Sequence, residues 1–322
     1  MEYRELGRTG WKVSTVSIGT WAMGSSWGPV DERESMAALN RALDLGVNFF
    51  DTADVYGSEP LLGKLRKQRK EPFTIATKMG RAVVQDVRNY NKRNLSSFVE
   101  GSLKSLGVDT IDLMQLHCPP IGVYSPEVFG ILDEMVEQGK IRHYGVSVER
   151  IDEAKVAIQY PHVQSVQMIF NMFRLRPIED FFPEAKRHKV GIIARVPLAS
   201  GLLTGKMSKT TTFTQDDHRS FNREGQAFDK GETFSGVDFE KGLAAVEELR
   251  PLVPAGMSMA QMALRWILMF DAVTCTVPGA RRPAQVEDTL KAADLPPLSE
   301  STMQKVREIY DRRIRPDVHH LW

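Results

Sequence analysis

Cysteine is almost missing from this chain of 322 residues: only Cys118 and Cys275 occur, with neither disulfide nor metal-ligand spacing. That usage fits a reducing cytoplasm. No run of about eighteen apolar residues is present; the best candidate, MALRWILMFDAVTCTV, is broken by Arg265 and Asp271. The N-terminus, MEYRELGRTG, is polar from its second residue and does not read as a secretory signal. Charge of one sign is lacking too. A formal net charge of +1 gives no reason to expect nucleic acid or an anionic membrane as partner. No glycine fingerprint follows the first strand, which argues against an open dinucleotide-binding sheet. No His-x-His pair lies on an early strand, which argues against a metal-dependent barrel hydrolase. The remaining composition, 42% hydrophobic and 26% charged, is that of an ordinary globular protein.

What is present is a repeated alternation. A hairpin is expected in YRELGRTGWKVS, with TG at its turn and a first strand near VSTVSIGT. Helix DERESMAALNRALDLG has Asp31 as N-cap, Glu34 at the capping-box position and Gly46 as stop. Strands VNFFD, FTIATK, TIDLMQLH, RHYGVS, VQSVQMIFN, GIIARVPL and VTCTVPG follow, separated by helical segments. Ser58 and Pro60 open one of these helices, and Pro283 another. Mostly continuous apolar strands alternating with helices predict an α/β chain forming one (β/α)8 TIM barrel domain over residues 1–322. One stretch breaks the rhythm. From Lys206 to about Gly236 the chain is polar and without period, so a long loop after the seventh strand is expected, either a lid or a mobile insertion.

Successive strands end on polar groups able to carry or position a proton: Asp51, then Tyr56 just beyond, then Lys78, then His117. A phenol with a pKa of about 10 protonates an alkoxide slowly at neutral pH. An ammonium about 4 Å away stabilises the phenolate by roughly 4 kcal/mol at an effective dielectric of 20. Asp51 is the natural counter-ion for Lys78 in a dry barrel, and His117 can direct a substrate oxygen. Such a set suits carbonyl reduction. Taken singly, Asp51 also reads as a turn residue, Lys78 as a surface lysine, and Tyr56 and His117 as packing residues.

GVNFFDTADVYG, the ATK triplet, IDLMQLH and PLASGLLTGK together resemble the aldo-keto reductase superfamily, in its bacterial, potassium-channel-β-subunit-like branch. The likeness spans essentially the whole chain. It implies that Tyr56 is the general acid, that Lys78 and Asp51 tune it, and that His117 orients the carbonyl. It also implies hydride transfer from NADPH, with NADH as the other candidate donor. Gly19, Thr20, Trp21, Ser147, Gln167, Val196, Pro197 and Leu198 are then expected to line the cofactor. Val148 stands where relatives carry an asparagine, and Arg195 where they stack an aromatic ring on the nicotinamide. A guanidinium is planar and can stack likewise, and its charge would favour the neutral reduced ring. Ser200, Gly201 and Leu203 resemble a loop passing over the pyrophosphate. Gly279, Ala280, Arg281, Gln285, Asp288 and Thr289 resemble the adenosine end, with Arg281 or Arg282 as candidates for a 2′-phosphate; a simple turn and a surface arginine pair are the alternatives.

Trp21, Trp27, Val55, Tyr124 and Trp322 are expected to give an aromatic-lined substrate pocket for a small carbonyl compound, with the C-terminal RPDVHHLW folded back over it or frayed. No metal is expected, and the subunit number is not encoded in any motif. Two other readings fit parts of the pattern: a Schiff-base aldolase using Lys78, and a cofactor-binding redox sensor with little turnover.

Overall fold

The computed structural model describes residues 1–24 and 30–322. Tyr3–Glu5 (β1) and Lys12–Ser14 (β2) pair antiparallel as the expected hairpin. Eight strands then form a single parallel sheet: Ile18–Gly19 (β3), Phe49–Asp51 (β4), Thr74–Met79 (β5), Ile111–His117 (β6), Ile141–Ser147 (β7), Val163–Ile169 (β8), Gly191–Arg195 (β9) and Val273–Thr276 (β10). Each strand neighbours the next in sequence. The ends meet through parallel bridges from Val16 to Thr276 and from Gly19 to Gly279, which close the sheet into a barrel. The first strand is shorter than VSTVSIGT suggests, because its early residues are spent on the hairpin.

The hairpin plugs one end of the barrel. Leu6 and Val13 pack with Phe49, Ala76, Leu113, Ile193 and Cys275 in an apolar cluster distinct from the main core. Gly7 is required at that junction: its φ is +57°, and a Cβ there would lie 2.1 Å from the Gln164 carbonyl oxygen. Gln164 and Gly191 lie at the beginnings of β8 and β9, so the plugged end is the one where strands start. The opposite rim, where strands finish, is left for chemistry.

Outside the barrel, apolar strand faces meet the helices. Phe50, Ile75, Met114, Val146 and Ile192 share one cluster with Leu39, Leu62, Val99 and Leu132. Helix Glu32–Asp44 starts as expected, with the Asp31 carboxylate accepting from the Arg33 amide at 2.7 Å. Glu34 does not complete a capping box; it pairs with Arg282 at 3.1 Å. Ser58 precedes helix Glu59–Gln68 but bonds Thr20 and Thr52 rather than capping it. No helix among the described residues is long and apolar enough to cross a membrane.

The 206–236 stretch is more ordered than its composition suggests. It holds a short helix, His218–Phe221, and two 3-10 turns, Lys230–Glu232 and Phe234–Gly236. Backbone strain collects around it. Among the described non-glycine residues, Lys189 has positive φ as a helix C-cap, and Cys118, Val196, Ala199, Ser200, Phe234 and Ser235 have it at strand ends or in the segments that follow β9. Such conformations cost energy unless the surroundings impose them, and they cluster where function is built.

Candidate active site

A cavity of about 370 Å³ opens on the rim where the strands finish. Asp51 is the last residue of β4, Lys78 lies in β5, His117 ends β6 and Arg195 ends β9. Tyr56 hangs over the same opening on the turn after β4. Glycine is needed beside it, because a Cβ at Gly24 would stand 1.6 Å from the Tyr56 carbonyl oxygen.

The structure brings Asp51, Tyr56, Lys78 and His117 together. The Lys78 Nζ donates to Asp51 Oδ1 at 2.6 Å and to the Thr52 carbonyl at 2.8 Å, fully buried. It lies 5.0 Å from the centre of the Tyr56 ring. The Tyr56 ring stacks on Trp21 at 5.9 Å and meets His117 edge-on at 5.7 Å. The second Asp51 oxygen accepts from Gln167 Nε2 at 2.7 Å. Gln167 therefore steadies the ion pair from the far side of the barrel.

Electrostatics at this mouth differ from the simplest expectation. Burial pushes the Tyr56 phenol well above its ordinary value, and Asp51 and Glu232 add to the rise. The opposing cations are Arg81 and Arg195. Burial, then Arg81 and Lys78, hold the His117 imidazole well below its usual value. His117 is neutral at pH 7, with Nδ1 buried and unpartnered among the described residues. Burial likewise lowers Lys78.

A second group of residues, of which only Arg195 stands out in the sequence, completes the mouth. Arg81 donates to Glu232 at 2.6 Å and to Glu149 at 3.0 Å; Arg195 donates to Glu149 at 2.8 Å. Arg195 also bonds the Val148 carbonyl at 3.1 Å. These in-plane N–H contacts hold the Arg195 guanidinium by its edge, which leaves its flat faces uncommitted, and Arg195 borders the cavity. Trp21 is backed by His218 at 4.8 Å and Phe228 at 5.9 Å, both supplied by the long loop. Arg81 and Glu149 obey the same rule as the four proton-handling residues, polar groups just past a strand end, and that rule was the available signal. His218, Phe228 and Glu232 carried none.

The expected cofactor contacts divide. Gly19, Trp21, Gln167, Arg195, Val196, Pro197, Leu198, Ser200, Gly201, Gly279, Ala280, Arg281, Gln285, Asp288 and Thr289 border the cavity. Thr20, Ser147 and Leu203 do not. Thr20 Oγ1 bonds the Asp51 carbonyl at 3.0 Å, tying β3 to β4 beneath the site. The Ser147 hydroxyl accepts from Cys118 at 3.4 Å, and Leu203 is buried in the core. The Ser200 hydroxyl is also engaged, donating to the Glu232 carbonyl at 3.1 Å and accepting from the Phe234 amide at 3.0 Å. Arg281 faces the cavity, whereas Arg282 pairs with Glu34. Gln285 Oε1 accepts from the amides of Arg281 and Arg282, shaping the turn before helix Pro283–Leu290.

The expected aromatic pocket is only partly assembled. Trp21 lines it and Val55 lies exposed at the rim, but Tyr124 and Trp322 are elsewhere. Tyr124 is buried against Phe129, and its carbonyl accepts from Tyr160. Trp322 packs behind the long loop: its Nε1 donates to Asp229 at 2.9 Å, and Arg174 covers its ring at 3.7 Å. The tail therefore braces the loop instead of entering the cavity. Trp27 lies outside the described residues.

A family model described as Aldo/keto reductase family matches residues 15–311. The chain belongs to that family. It is an oxidoreductase with the family's barrel. Aldo-keto reductase YhdN of Bacillus subtilis (strain 168) is 34% identical over 297 residues, covering 89% of this chain and 87% of the relative. A probable voltage-gated potassium channel subunit beta of Arabidopsis thaliana is 27% identical over 333 residues, covering 96% of each. Among solved structures, the glycerol dehydrogenase AKR11B4 from Gluconobacter oxydans superposes with a TM-score of 0.79 at 32% identity, covering 97% of this chain and 96% of that one.

Proposed function

We propose that this aldo-keto reductase reduces small aldehydes and ketones to alcohols with NADPH. The observation that supports this reading is the buried Lys78–Asp51 pair set 5.0 Å from a tyrosine ring that borders the cavity. The cavity suits an extended dinucleotide. It runs from Asp51, Tyr56 and Gln167 past the left-handed turn at Ser200 and Gly201 to Arg281, Gln285 and Thr289. Strained backbone at such a turn exposes amides to an anion, and the Arg281 guanidinium suits a phosphate.

When bound, the reduced dinucleotide supplies a hydride from nicotinamide C4. Tyr56 holds the proton that goes to the carbonyl oxygen. A phenol pushed upward by burial is fully protonated at pH 7 and is a ready donor only if the phenolate left behind is stabilised. Lys78, Arg81 and Arg195 provide that positive surround. Neutral His117 donates an N–H to the same oxygen and fixes its direction. Trp21, backed by His218 and Phe228, forms the apolar wall that excludes water.

The test is consumption of NADPH with a panel of small carbonyl compounds. The panel runs from 4-nitrobenzaldehyde to hydroxyaldehydes, which the polar Arg81–Glu232 side of the mouth would accept. Turnover that requires both dinucleotide and carbonyl is expected. NADPH binding without turnover on any member would instead support a redox-sensing protein, and a borohydride-trapped adduct on Lys78 an aldolase.

A further inference from the structure

Arg81, Glu149, Arg195 and Glu232 come from four separate segments and converge on one buried point. Their side chains are 18%, 10%, 10% and 5% exposed. A single Arg81 nitrogen is shared by an oxygen of each carboxyl group, at 3.0 Å for Glu149 and 2.6 Å for Glu232. Arg195 spans the same two carboxyls, at 2.8 Å to Glu149 and 3.7 Å to Glu232. Carboxyl oxygens of Glu149 and Glu232 lie within 4.8 Å of each other and of the Cys118 sulfur. Burial and the mutual repulsion of the two carboxylates favour retention of one proton, against the two guanidiniums that bridge them. Two guanidinium charges against one carboxylate then leave a net positive charge.

The location gives that charge a consequence. Hydride transfer requires the nicotinamide ring beside Tyr56, and Arg195 and Glu232 border the cavity at that end together with Gln167. The Arg195 Nε is buried and has no partner among the described residues. The oxidised ring is a cation and the reduced ring is neutral. Resting on the function proposed above, we infer that this cluster is a proton-controlled charge beside the nicotinamide site. While it holds its proton, it favours the reduced dinucleotide over the oxidised one, and it couples NADP+ binding to proton release.

The proton resides on Glu149. Burial pushes its carboxyl up to about 8, against the lowering by Arg195 and Arg81, while those arginines hold Glu232 well below the carboxylate range. The other groups facing Glu149 are Cys118, whose thiol burial pushes up to about 12, the high-lying Tyr124 phenol, and the Arg174 guanidinium. None of the three titrates between pH 6 and 9. Glu153 is turned to the backbone, accepting from the Glu149 and Arg150 amides. The sign follows. Below the Glu149 value the cluster is positive and repels NADP+; above it the cluster is neutral and the repulsion ends.

Isothermal titration of NADPH and of NADP+ across roughly pH 6 to 9 tests this. Comparing the two cofactors cancels the titration of their common 2′-phosphate. The ratio of Kd for NADP+ to Kd for NADPH is expected to fall by about tenfold as pH rises, the scale of one screened charge at such a distance. Near the midpoint, buffers of different ionisation enthalpy should show proton release with NADP+ beyond that seen with NADPH. In Glu149→Gln the ratio should stay at its high, acid-side value at every pH. A flat ratio in the wild-type chain, or an equal slope in Glu149→Gln, overturns the inference; the buffer comparison on the wild-type chain decides alone if the variant does not fold. Binding of both cofactors with a flat ratio defeats this inference only, whereas binding of neither defeats the proposed function as well.

Discussion

Tyr56→Phe should lower NADPH-dependent carbonyl reduction by roughly 100- to 10,000-fold, the usual contribution of a positioned proton donor. The ring that remains still stacks on Trp21 and meets His117 edge-on, so the packing that places the turn after β4 survives. The hydroxyl makes no hydrogen bond among the described residues, so its loss leaves no buried partner unsatisfied. Melting temperature and NADPH affinity are therefore expected to stay close to wild type while kcat collapses. Steady-state kinetics together with a fluorescence titration of NADPH check both halves. Equal rates in the two proteins would remove Tyr56 from the chemistry.

Lys78→Met should damage stability as well as turnover. Lys78 is fully buried, and its ammonium is the cationic partner of Asp51 at 2.6 Å. Taking one member of a buried ion pair away leaves an uncompensated charge, at a cost of about 3–5 kcal/mol. Gln167 still donates to Asp51 but brings no charge. The double variant Lys78→Met, Asp51→Asn removes both charges and should recover most of the loss, because the two substitutions act on one interaction. Urea unfolding of both variants at pH 7 measures this. Activity should remain low in each, since neither restores a cation beneath the Tyr56 phenol. A single variant as stable as wild type would show that the pair is not held as tightly as its geometry implies.

The barrel was readable in the sequence because parallel strands are buried on both faces. VNFFD, FTIATK and TIDLMQLH stand out as apolar runs, and their polar last residues mark the rim. The long loop was readable as an interruption but not as a wall. His218, Phe228 and Glu232 become partners of Trp21 and Arg81 only when residues far apart in sequence meet. Hydroxyls were ambiguous for a related reason. Thr20, Ser147 and Ser200 looked available for a ligand, yet each is engaged in a hydrogen bond within the chain. Aromatic residues carried similar ambiguity, since Tyr124 and Trp322 serve packing and loop bracing, which composition cannot separate from a pocket lining. The ion cluster was hardest to see, because Arg81, Glu149, Arg195 and Glu232 belong to four segments with no shared motif.

A hydride from the dinucleotide and a proton from Tyr56 should reach one carbonyl group in this cavity. The most direct measurement uses NADPH carrying deuterium at nicotinamide C4, with mass spectrometry of the alcohol formed from a small aldehyde. A single deuterium is expected on the carbinol carbon for one of the two C4-labelled diastereomers and none for the other. Alcohol free of deuterium with both would contradict it.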